Sequence, residues 1–222
     1  MRTVLLSLAL ACSMAACAQT PVAPVSAPWF NAREFAGLVS TPAPDQPARL
    51  DFTLDAASGR ALRFTDCAQA NATSGDDIVP AEYSVFQLLK LHCAAYERYR
   101  AAVGARQSNL PDTLDEAFIA QLPEAILPEN GSGPSMVRIG DSPRVERIAK
   151  SGGGRWEIQT RDEQVIVTRF AQGDFNHDGV DDMLLRVGWR YLDALDGGGM
   201  MMVEITRRVP GGAIEVVSRI RP

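Results

Sequence analysis

Apolar and polar residues change rhythm several times along this chain. Leu50-Asp51-Phe52-Thr53-Leu54 alternates at period two, and Ala61-Leu62-Arg63-Phe64 resumes the alternation after AASGR. Period two sends successive side chains to opposite faces of a strand, so a β-hairpin is expected here. QANATSGDD then reads as a loop. From Ala81 to Val103 the rhythm becomes helical: Val85, Leu88, Leu89, Cys93 and Tyr96 recur at steps of three and four and line one stripe. Pro80 stands just before it, where the missing N–H does no harm. A second, shorter helix is expected over Leu114 to Leu122, with Thr113 and Glu116 at capping-box spacing and Pro123 ending it.

Residues 128–154 break the rhythm. PENGSGPS and KSGGG are strings of turn formers, so this stretch reads as a loop or linker and a domain boundary is placed there. Beyond it, RWEIQT, EQVIVTRF, DDMLLRVGW, GMMMVEITRR and AIEVVSRI read as strands joined by short polar turns. The fold class is therefore α+β: an N-terminal hairpin plus helix in residues 49–127, and a C-terminal antiparallel sheet of about five strands in residues 155–222. No internal repeat is visible.

Composition narrows the function classes. Of 222 residues, 27 are acidic and 22 basic, a formal net charge of -5 that supplies no field for gripping phosphates, so nucleic acid is not an expected partner. The chain opens with Arg2, an apolar run from Val4 to Ala11 and small residues in SMAACAQT, the order of a secretory signal. That run is far shorter than the roughly 20 residues that span a bilayer. The following AQTPVAPVSAP and STPAPDQPAR are small and proline-rich, so residues 19–48 are expected to be an extended tether.

MAAC, Met14 to Cys17, resembles the lipobox of bacterial lipoproteins. The resemblance implies residues 1–18 as signal peptide and lipobox, lipidation of Cys17, a membrane partner through that anchor and, because Ala18 follows the cysteine, the outer membrane, facing the periplasm or the surface. Ala16-Cys17-Ala18 also fits ordinary signal cleavage, which leaves Gln19 first and a soluble periplasmic or secreted protein. Either route exports the chain to an oxidising compartment, where Cys67 and Cys93 form a pair. Cys67 ends a hairpin strand and Cys93 lies mid-helix, so a disulfide would staple one to the other.

The densest chemistry lies in GDFNHDGVDDMLL, residues 173–185. Calcium takes several oxygen ligands converging from a short loop, best supplied by alternate carboxylates or amides with a glycine at the turn. Asp174, Asn176 and Asp178 occupy places one, three and five, Gly179 six, the Val180 carbonyl seven and Asp182 nine. At place twelve an EF-hand has glutamate; here Leu185 stands, and a strand rather than a helix follows. The loop resembles the calcium loops of FG-GAP and VCBS repeats, which run directly into a buried strand. That resemblance implies Asp174, Asn176, Asp178 and Asp182 as side-chain ligands of a weak, structural Ca2+. An acidic turn without metal uses the same residue types. Crowding Asp174, Asp178, Asp181 and Asp182 into so short a stretch nevertheless favours a cation.

Little else points to catalysis. His92 borders the helical stripe and His177 takes a non-ligand slot of the loop; the sequence carries no GxSxG, HExxH or phosphate-binding glycine loop. Met200, Met201 and Met202 suit either a buried strand or an adaptable binding edge. Three readings follow: an exported binding module of the cell envelope with a protein or glycan partner, a disulfide-braced inhibitor of a hydrolase, and a hydrolase built on carboxylates.

Overall fold

A computed structural model describes residues 25–41, 43, 45–128, 137–193 and 197–222. The signal segment and Cys17 lie outside the described residues. The sheet is a meander of six antiparallel strands, each beside its neighbour in sequence: β4 (Val145–Gly152), β5 (Arg155–Thr160), β6 (Glu163–Gly173), β7 (Asp182–Tyr191), β8 (Gly198–Thr206) and β9 (Glu215–Ile220). A short strand β1 (Trp29–Phe30) adds to the far half of β6, and the hairpin of β2 (Arg49–Asp55) and β3 (Ala61–Asp66) forms a separate two-stranded sheet.

The expected hairpin and the five C-terminal strands are found, and the sheet has one strand more than expected. β4 lies inside the stretch read as loop or linker. KSGGG is its hairpin turn, with Gly152, Gly153 and Gly154 all at positive φ. β4 is an edge strand with no fully buried residue, which is why its apolar signal is faint. The tether expectation is corrected from Trp29 onward: aromatic side chains draw this stretch into the core, where Phe30 stacks on Tyr99 at 5.0 Å and meets Phe170 edge-on at 5.4 Å.

The long helix α2 runs Tyr83–Ala101, close to the expected span. Its buried stripe is shifted from the expected one: Val85 is exposed, while Phe86, Leu89, His92, Cys93, Tyr96 and Tyr99 face the core. QANATSGDD is not simply a loop, since Cys67–Ala72 forms a short helix, α1. Asp66 accepts the Gln69 N–H at 2.9 Å and the Gln69 side chain accepts the Thr65 N–H at 2.8 Å, a reciprocal cap at its entry. Helix α3 spans Glu116–Gln121 and is capped by Asp115, which accepts the Phe118 N–H at 2.7 Å, rather than by Thr113. A Cys67–Cys93 disulfide joins α1 to α2.

Strand alternation sorts the core into two layers. Val165, Val167, Leu185, Val187, Met201 and Val203 face one side, where α3 and the turns at Glu124–Ile126 and Ile139–Asp141 cover them. Leu184 and Met202 face the other, beneath α2, the hairpin and β1. The β6–β7 register shifts between Arg169 and Ala171, so Phe170 and Ala171 both contribute to the α2 side. The chain passes from the α2 side to the α3 side through the segment after Ala101, and the acidic loop receives it.

Candidate functional site

The acidic loop is built by β6 and β7 as they separate. Asp174 accepts the Asp178 N–H at 3.1 Å through Oδ1 and the Gly179 N–H at 2.8 Å through Oδ2. Asn176 Oδ1 accepts the Asp178 N–H at 2.9 Å, and Asp178 Oδ1 accepts the Val180 N–H at 2.8 Å. Asp182 Oδ2 accepts the Phe175 N–H at 3.1 Å from across the turn. The backbone goes left-handed twice, at His177 with φ 63 and Gly179 with φ 89. A Cβ at 179 would stand 3.0 Å from the Arg106 guanidinium as well as being strained, so glycine is required there.

The loop holds the crossing segment. Val103 and Asp174 exchange both backbone hydrogen bonds at 3.1 Å, Gly179 O accepts from Arg106 and Gln107, and the Gln107 carbonyl accepts the Asp181 N–H. Asp181 is fully buried and accepts from Ser108 Oγ at 2.8 Å and Gln172 Nε2 at 2.6 Å. The ring of His177 reaches the Ala101 carbonyl at the end of α2, with Nε2 at 2.9 Å.

The donor set suits a hard cation in kind. Among the described residues no three His, Cys, Asp or Glu side chains already converge as a metal cage. Each carboxylate, however, has about four acceptor positions, so taking one or two amides leaves capacity. Asp182 Oδ1 is buried, and the one side chain that addresses the carboxyl from across the strand is the equally buried Thr206 hydroxyl. Burial raises the Asp182 carboxyl to about 6, with the hydrogen bonds of Thr206 and Phe175 opposing it and the charges of Glu204 and Asp178 adding to it.

A second site opens on the α2 side of the sheet, at the opposite end of β7. Here Arg33 to Ala36, the Leu88 to His92 part of α2 and the faces of β6, β7 and β8 enclose a cleft of about 570 Å³. Arg186, Gly188 and Arg190 project from β7, and Gln164 and Ile166 from β6. Glu34 bridges two arginines: its carboxylate accepts from Arg155 Nη2 at 2.8 Å and from Arg186 Nη2 at 2.5 Å. Burial pushes the Glu34 carboxyl upward, but the hydrogen bonds and charges of Arg155 and Arg186 together outweigh it and hold the group below its usual range. His92 is fully buried, and burial followed by the Arg186 charge lowers its ring to about 3, so it is neutral at ordinary pH.

No family model, curated protein or solved structure matches this chain. The two sites differ in how the sequence records them. The five oxygen-donor positions of the acidic loop, Asp174, Asn176, Asp178, Val180 and Asp182, lie together on one turn. The cleft residues come from six separated stretches; the only local hint is the glycine interrupting the strand RVGWR.

Proposed function

We propose that this chain is an exported, lipid-anchored protein of the cell envelope that acts as a binding module, with a structural calcium loop bracing its fold. Cys17 carries the anchor in this reading, and Asp174, Asn176, Asp178, Asp182 and the Val180 carbonyl hold Ca2+. The observation that carries the calcium part is Asp182, a fully buried carboxyl whose pKa is raised by its burial and by neighbouring carboxylates, inside a loop of oxygen donors. The ion would supply positive charge among crowded carboxylates, and the loop so held would pin the segment that crosses from α2 to α3. The disulfide supports export, since such bonds persist in oxidising compartments. The cleft does not support a carboxylate hydrolase: among the described residues Glu34 is the sole acid lining it and is tied to two arginines.

A loop without the bidentate glutamate binds calcium at about 10⁻⁴ to 10⁻³ M. Millimolar calcium should then stabilise the protein by a few tenths to about 1.5 kcal/mol. Thermal melts in calcium and in excess chelator, on the parent and on an Asp174→Ala, Asp178→Ala double variant, test this. Calcium should raise the melting temperature of the parent alone; identical parent curves would leave an acidic turn. Labelling with a palmitate analogue should mark the parent and spare Cys17→Ser, and unlabelled parent would remove the anchor.

A further inference from the structure

We propose that the cleft between α2 and the sheet binds a small organic monoanion, a carboxylate with an apolar acyl or aryl body. The inference deepens the binding-module reading by naming the class of ligand, and its geometry is independent of the calcium loop.

The head-group site lies at Arg186, which the buried His92 backs. The His92 Nδ1 lies 3.0 Å from the Ala36 N–H, a fixed donor, so Nδ1 accepts and the proton of the neutral ring sits on Nε2. Nε2 in turn lies 3.2 Å from Arg186 Nη1, which also can only donate. The buried imidazole thus backs the guanidinium with a donor rather than an acceptor, and the acceptors Arg186 does have are the Glu34 carbonyl, 3.4 Å from Nη1, and the Glu34 carboxylate. A carboxylate oxygen entering from the cleft would accept from the partly exposed Arg186 guanidinium in a charge-assisted hydrogen bond.

Charge sets the valence. Arg155 and Arg186 carry two positive charges and Glu34 returns one negative charge, which leaves the inner cleft short of a single negative charge. Arg33 and Arg190 line the same cleft and are solvent-exposed, adding attraction for an arriving anion. The remaining walls are apolar. Phe35, Leu88, Ile166 and Met200 line the space. The volume falls within the roughly 300 to 1,000 Å³ of ordinary small-ligand sites.

Gly188 is what keeps the space open. It projects from the same face of β7 as Arg186 and Arg190, and a Cβ there would meet nothing closer than the Gly199 carbonyl at 3.9 Å. A leucine at 188 should therefore extend into the cleft rather than into packed neighbours, on a strand that favours a side chain.

Calorimetric titration of the protein as the cell processes it, in chelator so that the calcium loop plays no part, tests the proposal. The probes are octanoate, octanol, acetate and octyl phosphate. Octanoate should bind one to one, at least about tenfold tighter than octanol and than acetate. Gly188→Leu should abolish that binding while leaving the melting temperature unchanged or higher. Arg190→Glu, an exposed change, should weaken it several-fold without affecting the fold. No heat from octanoate up to about 10 mM, or octanol binding equally well, would overturn the proposal. So would an unchanged affinity in Gly188→Leu or Arg190→Glu. Octyl phosphate binding about tenfold tighter than octanoate would replace the carboxylate by a phosphate and overturn the monoanion assignment.

Discussion

The two faces of the sheet are made by the same strands, residue by residue in alternation, and they end differently. On the α3 side, Val165, Val167, Leu185, Val187 and Val203 are wholly buried under short helices and turns. On the α2 side, Leu184 and Met202 are equally buried, but the same strands carry Gln164, Arg186, Gly188 and Arg190 toward their other ends. Apolar side chains are covered because water is expelled from between them; where the row turns to arginine and glycine, the driving force for covering it falls away. A partly covered face leaves a walled space rather than bare surface, and the arginines lining that space decide what suits it. One face is closed by packing along its length, while the other divides between packed core and an open, arginine-lined cleft.

Core truncation should show the largest contrast. Leu185→Ala on the closed face should lose about 3 kcal/mol, as large-to-small changes at fully buried sites do. Ile166→Ala, half-buried at the cleft, should lose about 1 kcal/mol or less. Urea unfolding measures both, and equal losses would mean that the cleft face is packed as tightly as the other.

The α2 side is also held covalently. Replacing Cys67 and Cys93 by alanine should lower stability by about 2 to 4 kcal/mol, visible as a lower denaturation midpoint. A negligible change would show that packing alone seats α1 and α2.

Acid should separate the faces next. The His92 ring stays neutral in the fold down to about 3, whereas in the unfolded chain it titrates near 6.5. Between those values the unfolded chain takes up a proton that the folded chain does not, so stability present at neutral pH is lost as pH falls through this window. From neutral pH to pH 5 the loss attributable to His92 should be about 2 kcal/mol. His92→Gln, which cannot titrate, should remove that part of the pH dependence; an unchanged dependence would assign it to carboxylates elsewhere.

Much of the local structure was legible in the residues. The hairpin, α2, α3 and five strands follow from period two and period 3.6, because burial of one face imposes those rhythms on a chain. The acidic loop was legible because its oxygen donors come from consecutive residues on a single turn. β4 escaped because an edge strand buries little, and α1 escaped because its start depends on the cap formed by Asp66 and Gln69. The shift of the α2 stripe, which exposes Val85 and buries His92, depended on which neighbours packed against the helix.

What the residues alone determined, then, is each element whose signal is local: alternation, helical spacing, turn glycines and the run of acids from Asp174 to Asp182. Only the tertiary structure decided that Glu34, His92, Arg155 and Arg186 meet. Hydrogen bonds and charges act across a few ångströms of space regardless of separation along the chain, so a site assembled from four segments leaves no periodic trace in any of them.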